Sequence, residues 1–236
     1  MTECNYAIVL SAGSGKRMGT DVPKQYMNIE GYPVIYYSLK AFEDSAHVDR
    51  IILVTRKDDL DYCQKEIVER YGFSKVCAVI SGGSERYESV YKGLCAVDGC
   101  CRLVFIHDGA RPCIDEQLIA HLAEDACVYG NAVAAVRSKD TVRISDDNGV
   151  CIETPKRSNV WNIQTPQVFF YGAVKSAYDK MIAAVPDGIT DDAMVMEQFS
   201  DEQIHLTEAS YSNIKVTTVE DILPVTKFLK KTEKTC

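Results

Sequence analysis

Short apolar runs rich in β-branched residues alternate along the chain with longer segments whose apolar residues return at helical spacing. The runs Tyr6–Leu10, Arg50–Thr55, Lys75–Ile80, Leu103–His107 and Ala132–Val136 predict strands covered on both faces, because a continuous apolar stretch leaves no polar side for water. Between them, Val34–Phe42, Asp59–Tyr71, Arg86–Leu94 and Glu116–Tyr129 predict helices, with Ser84 and Asp115 placed to cap two of them. Strand and helix taking turns is the pattern of βαβ units. It predicts an α/β fold with a mostly parallel sheet flanked by helices.

After Val136 the rhythm breaks. Thr141–Ser145 and Val150–Thr154 flank the turn-forming Asp146-Asp147-Asn148-Gly149, which predicts a polar β-hairpin at the centre of an arm, 138–160, projecting from the core. Helices are expected at Ala173–Ala184 and Asp192–Phe199, short strands near Ile204–Thr207 and Asn213–Val216, and a last helix over Val219–Lys230. No linker-like stretch divides residues 1–236, so a single domain carrying a hairpin excursion is expected.

Composition narrows the function classes. The chain is 46% hydrophobic and 25% charged, ordinary for a globular protein, and its net charge of −8 argues against long-range attraction to nucleic acid or an anionic membrane. Any anionic ligand must then be held by local cations. No apolar run approaches the roughly 20 residues of a membrane span, and Met1–Asn5 carries Glu3 with no basic stretch ahead of an apolar core, so a cytoplasmic location is expected. The ten cysteines form no CxxC pair and have no His at ligand spacing. They read as small buried hydrophobes kept reduced, with adjacent Cys100 and Cys101 the one pair to check for redox chemistry.

Ligands of open α/β sheets bind beyond the carboxyl ends of the strands, so the residues after each strand carry the functional reading. The first such segment holds Ala12, Gly13, Ser14, Gly15, Lys16 and Arg17, followed by Pro23-Lys24-Gln25. Glycines let backbone N–H groups approach a phosphate, and Lys16, Arg17 and Lys24 against Asp21 give a locally basic turn. Two familiar phosphate loops fail here. A dinucleotide fingerprint started at Gly13 meets Met18 at its third glycine, and a Walker A loop fails at Arg17 and at Leu10. The second segment, Ser81-Gly82-Gly83-Ser84-Glu85-Arg86 through Ser89, predicts a helix start whose open N–H groups face the same sheet edge. In the third, His107-Asp108-Gly109-Ala110-Arg111, Asp108 could bind ribose hydroxyls or Mg²⁺ and Arg111 a phosphate, or the two could pair with each other. His107 reads as a packed strand-end residue. Later clusters around Lys139-Asp140-Thr141, Arg157 to Gln167, Thr190-Asp191-Asp192 and Asn213–Thr217 are individually weak.

Together, in this order and spacing, SAGSGKRMG with PKQY, SGGSERYESV, HDGARP, KDT, WNIQTPQVF, ITDDA and NIKVTT resemble the 2-C-methyl-D-erythritol 4-phosphate cytidylyltransferase family over nearly the whole chain. Ser11 and Gly109 stand where the family usually has Ala, and both keep small residues. The resemblance implies a Rossmann-like fold, a Mg²⁺-dependent homodimer, and transfer of CMP from CTP to a methylerythritol phosphate with release of pyrophosphate. It implies that Arg17 and Lys24 flank the α-phosphate while Lys215 and Arg157 orient the incoming phosphate. It places the nucleotide near Ala12, Gly13, Gly82 and Ser89, with Asp108 near the ribose. Arg111 and Thr190 would face the methylerythritol phosphate. Thr141 and Arg157, at the base of the arm, would reach the partner subunit's site. Two other readings are a ribitol-5-phosphate cytidylyltransferase, which the HDGARP, WNIQTPQ and ITDDA forms fit less well, and a non-catalytic nucleotide-binding module. Loss of Arg17, Lys24 or Lys215 would have pointed to the latter, and all three are present.

Overall fold

Successive strand residues point to opposite faces of a sheet, and here both faces are apolar. The computed structural model describes residues 3–13, 23–184 and 188–232. In β1 (Cys4–Ser11), Ala7 and Val9 pack into one core cluster while Tyr6 and Ile8 pack into another on the opposite face. The same division recurs in β4 (Arg50–Thr55) and β6 (Cys101–Asp108). Each face therefore needs its own layer of helices. The first is covered by α1 (Val34–Asp44) and α4 (Glu116–Tyr129), the second by α3 (Arg86–Ala96), α5 (Tyr171–Ala184) and α6 (Asp192–Phe199).

With β5 (Val76–Ser81), β7 (Asn131–Arg137), β10 (Trp161–Phe170) and β11 (Leu206–Glu208), the central sheet has seven strands in the order β11-β7-β10-β6-β1-β4-β5. Only β10 runs antiparallel to its neighbours. The chain moves outward from β1 through β4 to β5, then returns to place β6 on the other side of β1. That reversal opens a crevice at the carboxyl ends of β1 and β6.

Most expected elements form, with several corrections. Asp115 caps α4 by accepting from the Leu118 N–H, and Gly130 ends that helix in the left-handed region at φ 91°. The cap of α3 is Glu85 rather than Ser84, in a reciprocal box with Glu88. The segment expected as one helix over Asp59–Tyr71 contains a short α2 (Leu60–Tyr62) and then a π-wound stretch over Cys63–Glu69. Asn213–Val216 is not a strand, although the Val216 N–H bonds the Ala110 carbonyl. The final helix α7 (Ile222–Thr232) packs Val225 with Val34, Val216 and Ile29, the last from a small antiparallel pair, β2 (Asn28–Ile29) and β3 (Tyr32–Pro33). The expected hairpin forms as β8 (Ile144–Ser145) and β9 (Cys151–Glu153), a separate two-stranded sheet whose residues are exposed. The cysteines depart from expectation too: Cys63 is buried, but Cys77, Cys95, Cys127 and Cys151 are exposed, and the nine among the described residues are all free thiols.

Candidate active site

A cavity of about 410 Å³ lies where the strand ends converge. The turn after β1 contributes Ala12 and Gly13, the turn after β5 contributes Gly83 to Arg86, and the end of β6 contributes Asp108 and Ala110. Lys24, Ser89 and Lys215 add to its polar lining, with Ser11, Gln25 and Thr217 beside them. Six residues expected in the site therefore meet here: Ala12, Gly13, Lys24, Ser89, Asp108 and Lys215. Ser14, Gly15, Lys16 and Arg17 lie outside the described residues.

Lys24 stands on a short turn, Lys24–Tyr26, anchored at the carboxyl ends of β1 and β4. The buried Gln25 amide donates to the Ser11 carbonyl at 2.8 Å and to the Gly13 carbonyl at 3.3 Å. The Tyr26 hydroxyl bonds Thr55 Oγ1 at 2.8 Å and Asp59 Oδ2 at 3.2 Å. Two neighbouring side chains thus fix the backbone from which the lysine rises.

Three N–H groups of the turn after β5 are engaged within it. Gly83 N–H donates to Ser89 Oγ, and the N–H groups of Ser84 and Glu85 donate to Glu88 Oε2. The Ser84 hydroxyl, which also donates to Glu88 Oε2, and then the Glu85 and Ser84 N–H groups hold the Glu88 carboxyl below its ordinary pKa. Ser89 is therefore engaged in shaping the turn. Gly82 does not itself line the cavity but supports it, since a Cβ there would sit 2.6 Å from Ser89 Oγ and 2.8 Å from Ala12 Cβ.

From Arg86 at the end of this turn, four charged groups alternate in sign. The Lys215 ammonium donates to Asp108 Oδ2 at 2.7 Å, Arg86 Nε donates to Asp108 Oδ1 at 3.2 Å, and both Arg86 Nη atoms donate to Asp192 at 2.9 and 2.7 Å. Burial alone would raise the Asp108 pKa, but Arg86 and Lys215 outweigh it and hold the carboxyl far below the usual carboxylate range. Burial likewise works against the Arg86 charge, yet Asp192 and Asp108 raise its pKa well above the ordinary value. Asp108 is thus paired with Arg86 and Lys215, and its own loop arginine, Arg111, donates instead to the Asn213 carbonyl at 2.8 Å. Sequence reasoning passed over Arg86. The available signal was a cation in the first turn of a helix, where the helix dipole disfavours it, so that a compensating anion had to be near.

Arg111, Thr141, Arg157 and Thr190 do not line this cavity. Arg111 is half-buried, while Thr141, Arg157 and Thr190 are exposed. Arg157 belongs to a shallow basic hollow at the foot of the hairpin with Arg137 and Lys156.

Among the described residues the carboxylates lining the cavity are Asp108 and Glu85, and neither presents an unengaged first ligand for a cation: Asp108 serves Arg86 and Lys215, and Glu85 caps α3. No helix among the described residues is long and apolar enough to cross a membrane.

Comparison with known proteins matches residues 6–231 to the model of the family IspD, 2-C-methyl-D-erythritol 4-phosphate cytidylyltransferase. A relative of that name from Lachnospira eligens is 48% identical over 227 residues, covering 96% of this chain and 99% of the relative. Another from Alkaliphilus oremlandii is 43% identical and covers 94% of each chain. The crystal structure of 4-diphosphocytidyl-2C-methyl-D-erythritol synthase from Anaerococcus prevotii superposes with a TM-score of 0.84 at 35% identity, covering 97% of this chain and 99% of that one. Full-length matches in sequence and in fold, together with a lysine-lined cavity at the sheet's reversal point, place this chain in the 2-C-methyl-D-erythritol 4-phosphate cytidylyltransferase family.

Proposed function

We propose that this chain transfers the CMP group of CTP to 2-C-methyl-D-erythritol 4-phosphate and releases pyrophosphate. The observation that carries the reading is the convergence of Lys24 and Lys215 on one cavity at the carboxyl ends of β1 and β6. A phosphate oxygen of the polyol phosphate attacks the α-phosphorus in line, and the bond from that phosphorus to the bridging oxygen of the β-phosphate breaks. Pyrophosphate leaves with the bonding electron pair. No covalent protein intermediate is required, so the protein's work is positioning and charge stabilisation.

Lys24 and Arg17 are assigned to the charge that grows on the α-phosphate, and Lys215 to the incoming phosphate. Ala12, Gly13, Gly82 and Ser89 are assigned to the nucleotide side, as are Ser14, Gly15 and Lys16. Arg111 and Thr190 are assigned to the polyol phosphate side. Mg²⁺ belongs to the proposal as an ion that the triphosphate would bring with it, since the cavity carboxylates among the described residues are already committed. When bound it neutralises triphosphate charge. A metal-binding role for Asp108 gives way to one of holding protein cations.

The active form is proposed to be a homodimer that exchanges arms. Arg157 and Thr141 are exposed and stand outside their own chain's cavity, while Ile144, Val150 and Ile152 expose apolar side chains on the hairpin. An uncovered two-stranded ribbon with apolar residues is suited to docking on a second copy. Incubation with CTP, Mg²⁺ and either 2-C-methyl-D-erythritol 4-phosphate or ribitol 5-phosphate tests the function. Rapid pyrophosphate release with the first substrate, abolished by EDTA and restored by Mg²⁺, is expected. Preference for ribitol 5-phosphate would overturn the substrate assignment.

A further inference from the structure

Arg86 ties three parts of the fold together at the cavity wall. It begins α3, its Nε reaches Asp108 at the end of β6, and its two Nη atoms grip Asp192 at the start of α6. Asp192 is fully buried and also accepts from the Tyr178 hydroxyl at 2.5 Å. A carboxylate so enclosed tolerates its charge only beside a fixed cation, which makes the Arg86–Asp192 fork the rigid end of the chain of charges. The other end is open. Lys215 keeps 35% of its side chain exposed, and its ammonium is held by Asp108 Oδ2.

We propose that Arg86 is a positioning residue: anchored on Asp192, it fixes the Asp108 carboxylate so that Oδ2 sets where the Lys215 ammonium stands for the incoming phosphate. The role rests on the cytidylyltransferase reading above. It requires the guanidinium shape as well as its charge. Three donors must leave in two directions, Nε toward Asp108 and the Nη pair toward Asp192, and a lysine ammonium has neither the reach nor the planar fork to do both. Asp108 is held ionised by Arg86 and Lys215, so its pairing with both cations persists across the neutral range. Without Arg86, the Lys215–Asp108 pair can swing as a unit, and the ammonium loses its fixed point. A misplacement of about 1 Å is enough to cost about two decades in rate.

A double-mutant cycle separates this role from general support of the fold. Arg86→Lys, Lys215→Ala and the double variant are compared by kcat and KM for 2-C-methyl-D-erythritol 4-phosphate, alongside CTP affinity in the absence of the second substrate. Arg86→Lys in the otherwise native chain is expected to lower kcat/KM for the polyol phosphate by about two decades with CTP affinity changed less than about threefold. Added to Lys215→Ala, it should cost little more, because the ammonium it positions is already gone. Equal losses in both backgrounds, or an equal loss of CTP affinity, would overturn the proposal. Should Arg86→Lys not yield folded protein, Tyr178→Phe, which loosens Asp192 while leaving every charge in place, is put through the same cycle: a loss confined to the Lys215 background supports the role, and equal losses overturn it. Absence of pyrophosphate release by the unmodified chain would count against the cytidylyltransferase reading itself, whereas robust wild-type activity with an additive cycle counts against Arg86 alone.

Discussion

His107 is fully buried at the end of β6, with Nε2 3.2 Å from the Arg111 carbonyl and Nδ1 3.1 Å from the Thr165 hydroxyl. A carbonyl can only accept, so Nε2 carries the proton and Nδ1 accepts from Thr165, whose oxygen in turn accepts the Asp108 N–H. Burial pushes the imidazole down to about 3, and the ring serves as a neutral spacer that holds Thr165 against the Asp108 backbone N–H. Between the unfolded value of about 6.5 and this folded one, the unfolded chain holds one more proton at this site. Its contribution to stability is therefore complete above about pH 6.5 and is lost as pH falls toward 3, at about 1.4 kcal/mol per pH unit. Urea midpoints measured from pH 7 to pH 4 should fall with that proton's slope included, and His107→Gln should remove about one proton from the dependence. An unchanged slope in the variant would assign the acid sensitivity elsewhere. At Lys24 the expectation concerns rate. Its charge matters most when the α-phosphate becomes five-coordinate, so Lys24→Ala should lower kcat by about two decades with a smaller change in CTP affinity. Near-normal turnover in a folded Lys24→Ala protein would remove it from the chemistry.

Helix α3 shows how an element places a site. Its cap and first turn are closed by Glu85, Glu88 and Ser89, and Gly82 lets the preceding strand approach that closed turn. Adding a Cβ at Gly82 forces Ser89 Oγ or Ala12 to move, and both lie at the wall assigned to the nucleotide. Gly82→Ala is therefore expected to raise the KM for CTP by about one to two decades, with a stability loss of about 1–3 kcal/mol in thermal or urea unfolding. A normal KM would mean that the wall is built without this close approach. Elements with one strong local signal could be read from the sequence: β4 as a run of apolar residues, α4 between Asp115 and Gly130, the hairpin from its Asp-Asp-Asn-Gly turn. Strand β10 could not. Gln164, Thr165 and Gln167 interrupt its apolar pattern, and Pro166 argues against a central strand because it cannot donate to a ladder. The fold accommodates them through a register shift between Ile163 and Gln167, and the polar side chains are paired internally: Gln167 with Asp191 and the Ala193 N–H, Gln164 with Asn213. The site was legible where chemistry stood at or just past a strand's carboxyl end, as at Asp108, Ala12 and Gly13. It was not legible at Arg86, whose partners lie 22 and 106 residues away in sequence.

At the scale of the whole molecule, the question is whose cavity the arm serves. Arg157 stands at the foot of an exposed hairpin, outside the cavity of its own chain, whereas Lys24 lines that cavity directly. Under arm exchange, an Arg157→Ala subunit lacks only the group it donates, and a Lys24→Ala subunit lacks only a group in its own pocket. A mixed dimer of the two inactive variants then holds one pocket missing both groups and one pocket missing neither. Dissociating and reassociating equal amounts of the purified variants should restore activity. If half the dimers are mixed and each pocket works independently, the recovery reaches about one quarter of the wild-type rate. The concentration dependence of the recovered rate should follow that of dimer formation measured by ultracentrifugation. Were each arm to serve its own subunit, every mixed dimer would contain two singly damaged pockets. Activity would then stay at the level of the separate variants at every mixing ratio, and the exchange of arms would have to be abandoned.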